Sequence, residues 1–153
     1  MIQTLNYIAG LTDGEGSIVI SKRNIKNEKN KIVRKNYEIT LSIAMNDKQG
    51  LLKVQEIFGG NINIGSKKIN KQTGNEYCPA YVLRYASKEK VKLILETILP
   101  YLQVKKEQAV NAIDCINFID NSQNLSKFRK NSILNNYYVR AKSLKQKNWF
   151  INK

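Results

Sequence analysis

One nine-residue run constrains this chain more than any other feature of its sequence. It reads Ile8-Ala9-Gly10-Leu11-Thr12-Asp13-Gly14-Glu15-Gly16. The run begins as an apolar helical segment and ends in two carboxylates separated by a glycine. Gly10 and Gly14 are four residues apart, so on a helix they share one face and leave its backbone bare for close approach of a second helix. Two acids at the foot of such a helix indicate a site at a two-fold seam.

Two interpretations without that chemistry compete for the same residues. Asp13, Glu15 and Ser17 are spaced like the ligands of a calcium-binding EF-hand loop. The sixth loop position would however be Ile18 instead of glycine, and the twelfth would be Asn24 instead of glutamate, so the calcium loop is excluded. A plain junction between a helix and a strand stays open on the spacing alone.

The charge of the chain favours a polyanionic partner. Its 26 Lys and Arg residues outnumber 12 Asp and Glu residues, which gives a net charge of +14. A folded chain this basic repels itself unless a polyanion is nearby, so nucleic acid is favoured over a small-molecule substrate. No apolar run reaches the roughly 18 residues of a spanning helix, and no membrane partner is expected.

Length and cysteine content predict one folded intracellular domain. The chain has 153 residues, 42% of them hydrophobic, which is enough for a sizeable core. Cys78 and Cys115 are not closely paired in sequence and no secretion signal is visible, so a reducing compartment is predicted. Enrichment in Asn, Lys and Ile fits AT-rich coding DNA, which favours an organelle, either a chloroplast or a mitochondrion.

The sequence contains no histidine. Nucleases that use histidine as a general base or metal ligand are therefore excluded, as are Ser-His and Cys-His nucleophile sites. A nuclease built from this chain must rely on carboxylates that bind a hard divalent metal.

Hydrophobic periodicity and capping residues predict an α+β fold. The first helix is expected to be capped by Thr4 and to stop after Asp13, and Asp47 and Ser87 are expected to cap two more. Strands are predicted over 17–23, 37–45, 61–67 and 80–86, and further helices over 105–120 and from 125 to about 146. Ile62 and Ile64 are expected to be buried. The basic stretch 22–36 reads either as a solvated hairpin tip or as a contact to nucleic acid.

The four strands are predicted to form a sheet that helices cover on one face only. The other face is polar or basic, and such an open antiparallel face suits a groove of duplex DNA. The predicted DNA-facing residues are Ser17, Val19, Ser21, Arg23, Glu38, Thr40, Ser42, Ala44, Asn61, Asn63, Lys67, Val82 and Arg84.

Two separate stretches carry a resemblance to a known family. Residues 8–16 resemble the signature of the LAGLIDADG homing endonucleases, and 99–109 resemble the proline-to-lysine segment of their single-motif branch. The resemblance implies an αββαββα core whose saddle-shaped four-stranded sheet lies in the DNA major groove. It covers one domain with a core of about 4–120 and a helical C-terminal extension of about 121–153.

The resemblance also implies roles for individual residues. Glu15 would bind the metal, Mg²⁺ or Mn²⁺, together with the Gly14 carbonyl, and Lys105 would lie near the scissile phosphate. Glu15 departs from the aspartate in the family name but is still a ligand for hard cations. Where many relatives have glutamine this chain has Asn46-Asp47. Asp47 and Lys48 therefore enter the candidate catalytic set, unless Asp47 serves only as a helix cap.

A single copy of the motif supplies one acid, whereas cleavage of two strands needs two. The resemblance therefore implies a homodimer that cuts a long, roughly palindromic site in double-stranded DNA. The expected dimer interface comprises Ile8, Ala9, Gly10, Leu11, Thr12 and Asp13. The alternative is a non-cleaving protein of the same fold, an intron RNA maturase or a DNA-binding regulator, so intron RNA stays open as a partner. A basic structural protein would leave the acids unexplained.

Overall fold

The computed structural model describes residues 1–65, 68–69, 76–77 and 80–150. Within these residues, five α-helices and six strands follow in the order α1, β1, β2, α2, β3, β4, β5, β6, α3, α4, α5. The helices are Ile2–Glu15 (α1), Lys48–Phe58 (α2), Lys88–Ile98 (α3), Lys106–Asn121 (α4) and Lys127–Phe150 (α5). The strands are Gly16–Lys26 (β1), Ile32–Met45 (β2), Ile62–Ile64 (β3), Lys68–Ile69 (β4), Glu76–Tyr77 (β5) and Tyr81–Tyr85 (β6). A short 3-10 helix, Leu99–Tyr101, joins α3 to α4.

The main sheet has the order β1-β2-β6-β3, and all its neighbouring strands are antiparallel. Alternate residues of the strands face the helices and form the core, including Ile18, Ile39, Leu41 and Leu83. The predicted α+β class, with helices on one face of a four-stranded antiparallel sheet, is confirmed. Within the described residues, none of the helices is long and apolar enough to cross a bilayer.

Two of the predicted helix caps are present. The Asp47 carboxylate accepts a hydrogen bond from the Gln49 N–H at 2.9 Å, and the Ser87 hydroxyl accepts one from the Lys90 N–H at 3.4 Å. Gly59 ends α2 with φ of 68°, a conformation that costs glycine little. These caps fix where α2 and α3 start, and so how they lie on the sheet.

The boundaries of α1 differ from the prediction at both ends. The helix begins at Ile2 with Met1 in the cap position, so Thr4 lies inside the first turn and does not cap. The helix also continues through Gly14 to Glu15, where the Gly16 N–H bonds to the Thr12 carbonyl. Propensity alone favours ending the helix at glycine, but the following strand begins only at Gly16.

The hairpin formed by β1 and β2 is much longer than predicted. Most of the stretch read as a polar connection is paired strand, and only residues 27–31 form the turn. The Asn27 side chain organises this turn by accepting the N–H groups of Lys29 and Lys31 at 3.1 and 2.9 Å. Asn30 adopts φ of 57°, which asparagine tolerates better than most residues.

The region between α2 and β6 departs most from expectation. β3 is an edge strand of three residues, and Ile64 is 67% exposed there, so its predicted burial is wrong. The short β4–β5 pair lies between the third and fourth predicted strands, where no strand was predicted. Lys67 and Cys78 lie outside the described residues. The predicted phase of β6 is correct, because Leu83 and Tyr85 are buried and Arg84 is exposed.

The last helix packs onto the core and is not a detached appendage. Leu134 of α5 is buried in the core cluster, and Asn111 of α4 donates to the Tyr137 carbonyl at 3.1 Å. Lys22 of β1 reaches the Asn135 side chain at 2.7 Å, which ties the base of the long hairpin to α5.

Candidate active site and open sheet face

Asp13 joins the two stretches that carried the family resemblance. Its carboxylate accepts the N–H of Gln103 at 2.7 Å and the N–H of Lys105 at 2.8 Å. The ammonium group of Lys105 donates to the Asp13 carbonyl. Asp13 is therefore a helix-end group, and these three hydrogen bonds, two of them from Lys105, fix the segment 103–105 beside the end of α1.

Glu15 is the last residue of α1 and its side chain is exposed. The final carbonyls of an α-helix have no partner within the helix and carry the negative end of its dipole. Thr12 and Asp13 already accept hydrogen bonds at this end. The Gly14 carbonyl and the Glu15 carboxylate follow them, so two oxygen ligands of the kind that hard cations prefer lie side by side in sequence.

Lys105 and Glu15 share one electrostatic environment. Partial burial lowers the pKa of Lys105 below its ordinary value, and the charges of Asp13 and Glu15 oppose that shift. The structure thus brings together two residues that are 90 positions apart, an acid and a partly buried lysine. Within the described part of the chain, no three Asp, Glu or Cys side chains cluster as a metal site.

Asp47 and Lys48 follow the end of β2, and Glu15 precedes the start of β1, so all three lie at the same end of this strand pair. Gly16 at the start of β1 pairs with Ile43, so β2 runs past this point toward Asp47. The hydrogen bond from Gln49 accounts for Asp47 as a cap, and nothing in the geometry requires a further role. The catalytic roles of Asp47 and Lys48 stay predictions.

Within the described residues, most of the predicted DNA-facing side chains occupy positions on one face of the sheet. The register aligns Ser17 with Ser42, Val19 with Thr40, Ser21 with Glu38, Ala44 with Val82, Arg84 with Ser42, and Asn63 with Val82. Asn36 pairs with Arg23 and belongs to the same row. Sequence reasoning missed Asn36 because it ended the strand at 37; continuing the alternation by one step would have found it.

Two residues of this set differ from the rest. Thr40 is only 7% exposed, so it offers little surface to any partner. Asn61 precedes β3 and is exposed, but it is not part of the paired sheet.

The surface of α1 that is available to a second copy is smaller than the predicted interface. Ile8, Ala9 and Thr12 are completely buried in the core of their own chain, so they cannot offer surface to a second copy. That part of the expected interface is wrong, because the core needs the apolar stripe of an amphipathic helix. Gly10 and Gly14 instead face open space, and a Cβ added at either would have no atom within 4 Å.

Solved structures with the same architecture are homing endonucleases. I-CvuI in complex with the I-CreI target matches 95% of this chain and 82% of its own with a TM-score of 0.65 and 20% identity. The archaeal intron-encoded I-Vdi141I complexed with DNA matches 94% of this chain and 84% of its own with a TM-score of 0.67 and 18% identity. At these identities the comparison establishes the fold, which is that of the LAGLIDADG homing endonucleases.

The family itself is established by sequence. The family model for "LAGLIDADG endonuclease" matches residues 8–119, and this chain belongs to that family. The intron-encoded DNA endonuclease ai2b of Dictyostelium discoideum is 32% identical over 95 residues, 62% of this chain and 31% of that protein. The probable intron-encoded endonuclease Cox1-I1b of Schizosaccharomyces pombe is 28% identical over 141 residues, 92% of this chain and 34% of that protein. The chain thus spans about a third of the length of these relatives.

Proposed function

We propose that this chain is a site-specific endonuclease of the homing type that hydrolyses both strands of double-stranded DNA. It acts as a homodimer on a long, roughly palindromic target with a divalent metal, Mg²⁺ or Mn²⁺. One observation carries the proposal: Asp13 holds Lys105 beside the exposed Glu15, at the edge of an open polar sheet. A protein that only binds nucleic acid has no need of a metal-binding carboxylate beside a fixed lysine.

The end of α1 has the chemistry of a divalent-metal site. Glu15 supplies an exposed carboxylate and Gly14 a carbonyl at the negative end of the helix dipole, and both are hard oxygen ligands. Glu15 and Gly14 would hold the ion, which when bound supplies Lewis-acid stabilisation of the phosphodiester. The structures of I-CvuI with DNA were obtained in the presence of Mg or Ca, which supports a divalent ion here.

Lys105 contributes the second electrostatic element. Its ammonium group is anchored by the Asp13 carbonyl, so it needs little reorganisation when negative charge develops on a phosphate nearby. Partial burial strengthens its interactions because fewer water molecules screen the charge. The lysine therefore acts as a fixed donor toward the phosphate, and the acid holds the metal.

The outer face of α1 supports assembly from two copies. The exposed backbone at Gly10 and Gly14 allows a second α1 to approach closely, and this would bring two Glu15 residues to a common axis. Because the relatives are about two to three times as long, a second motif within one longer chain would give the same arrangement. The sedimentation of the 153-residue chain distinguishes the two cases.

The open face supplies the expected binding surface, and the strands present Ser, Asn, Glu and Arg side chains that can reach base edges. The structures of I-CvuI and I-Vdi141I contain DNA, which agrees with this assignment. For the site of action we propose an organelle, in accord with the Asn- and Lys-rich composition and with the intron-encoded relatives.

The decisive experiment is a cleavage selection on a randomised duplex library, with Mg²⁺ and with EDTA as the control. Wild-type protein should yield one long, partly palindromic cut site. Glu15→Gln should abolish cleavage but keep binding, because it removes the charge and little volume. Glu96→Gln removes another exposed acid, on α3, and should cut normally.

The other outcomes each have a distinct meaning. Duplex that is bound but never cut in Mg²⁺ would overturn the nuclease and leave a DNA-binding regulator. Indifference to duplex DNA with tight binding of structured RNA would favour the maturase. Cleavage that survives Glu15→Gln would refute the role of Glu15.

A further inference from the structure

One carboxylate on the open face lies between two arginines from different strands. Arg23 of β1 approaches one oxygen of Glu38 at 3.4 Å, and Arg84 of β6 approaches the other at 3.7 Å. Glu38 itself lies on β2, between those strands. The three side chains thus lie along a diagonal across the three strands. Each guanidinium group approaches a different oxygen of the Glu38 carboxylate.

The strand register explains this diagonal arrangement. Arg84 pairs with Ser42, four residues along β2 from Glu38, so the ion pair must pass over the side chain at position 40. Thr40 is 7% exposed although it lies on the open face, which agrees with that placement. Thr40 therefore lies between the two strand positions that the ion pair of Arg84 and Glu38 connects.

Folding stability does not account for this arrangement. The side chains of Arg23 and Arg84 are 72% and 54% exposed and that of Glu38 is 29% exposed, and ion pairs with largely exposed partners contribute little to the free energy of folding. A carboxylate on this face also repels phosphates and reduces the general attraction of a +14 chain for DNA. Its benefit must lie in what it does to the two arginines.

We propose that Glu38 is a specificity-determining positioning residue. Its carboxylate holds the Arg23 and Arg84 guanidinium groups on the floor of the open face, where each reads a guanine edge in the major groove. Arginine is the side chain best suited to bond guanine O6 and N7 together, whereas an unrestrained arginine binds phosphates of any sequence. This inference rests on the proposed binding of duplex DNA by the open face.

The test compares binding preferences, independently of cleavage. Wild-type protein and Glu38→Gln would each select duplexes from a randomised library in EDTA, and affinities would be measured for every single-base change in the selected site. Glu38→Gln should lose about tenfold of its preference for guanine at two positions in each half-site, and it should bind random duplex more tightly. Arg23→Ala and Arg84→Ala should each lose one of those two positions.

Glu28 provides the matched control. It lies exposed in the turn of the same hairpin, so Glu28→Gln changes the net charge equally without touching the arginine pair. It should raise general affinity slightly and leave every base preference unchanged.

The two proposals fail in distinguishable ways. If wild-type protein selects a sequence and Glu38→Gln shifts affinity equally at all positions, the role of Glu38 is refuted and the binding function stands. If wild-type protein binds no duplex at all, the proposed function is refuted and the role of Glu38 with it. Thermal melting of Glu38→Gln close to wild type is expected, because both arginine side chains are more than half exposed.

Discussion

Asp13 is the residue on which the candidate site depends. In wild type, each oxygen of the Asp13 carboxylate accepts one backbone N–H, from Gln103 or from Lys105. Asp13→Asn replaces one of these oxygens by an NH₂ group, which is a donor, so one of the two hydrogen bonds is lost. We expect urea unfolding to show a loss of about 1–3 kcal/mol, and cleavage to slow because Lys105 is less well anchored. Asp114→Asn, an exposed change on α4, should alter neither. A folded Asp13→Asn protein that cleaves at the wild-type rate would show that the anchoring of Lys105 is unimportant.

Tyr85 gives a pH-dependent contribution to stability. Burial raises its pKa to about 12, from about 10 in the unfolded chain, and its hydroxyl donates to the Gly59 carbonyl at 2.7 Å. Folding therefore favours the protonated phenol; its contribution is complete below pH 10 and is lost as pH rises through 12. Tyr85→Phe should cost about 1 kcal/mol at pH 7, and the gap to wild type should narrow between about pH 10 and 12. If urea unfolding shows the same difference in free energy of unfolding between the two proteins at every pH in that range, the prediction is contradicted.

At this scale, sequence reasoning identified residue types better than it identified their partners. Glu15 and Lys105 came from the two family-like stretches, and the structure brings them together. The hydrogen bonds of Asp13 could not be predicted, because nothing in the sequence around a carboxylate at a helix end indicates which backbone N–H groups some 90 residues away it will bind. The Glu38 ion pairs depend on strand register, which the sequence specifies only approximately.

At the scale of elements, α1 and the junction that follows it respond differently to added side chains. Gly10→Leu points into open space, so the monomer should fold normally, while a second helix could no longer approach. Sedimentation should then show a monomer where wild type is a dimer. Gly16→Ala is the contrasting change, because its Cβ would lie 2.8 Å from the Cα of Thr12 and should destabilise the fold itself. A dimer that persists in Gly10→Leu would place the interface elsewhere.

Element type was predictable and element length was not. The helices and the four sheet strands follow from periodicity and from caps such as Asp47 and Ser87. The length of the β1–β2 hairpin was missed because its outer part is exposed on both faces, as at residues 23–26 of β1, so burial gives no alternating signal there. The turn that closes the hairpin is organised by the Asn27 side chain. Its position in the sequence becomes evident only once the pairing of the strands on either side is known.

At the scale of the molecule, the net charge governs attraction for DNA without choosing a sequence. Each phosphate that a lysine or arginine neutralises releases a counterion, so binding of random duplex should weaken on the order of 10³-fold between about 50 and 200 mM salt. Preference for the selected target should survive, because it comes from base edges. Titrations of random and selected duplex at several salt concentrations check this. A flat salt response would mean that few basic side chains reach the backbone.

The link between Asp13 and Lys105 also has a consequence for synthesis on the ribosome. The two residues are 92 positions apart, so the acid leaves the exit tunnel long before the lysine that completes the pair. A nascent or prematurely terminated chain can carry Glu15 and most of the sheet and still lack the anchored lysine. Under the proposed function, a truncated chain of this kind would lack the lysine that faces the phosphate, so abortive translation products would pose little danger to the genome that encodes them.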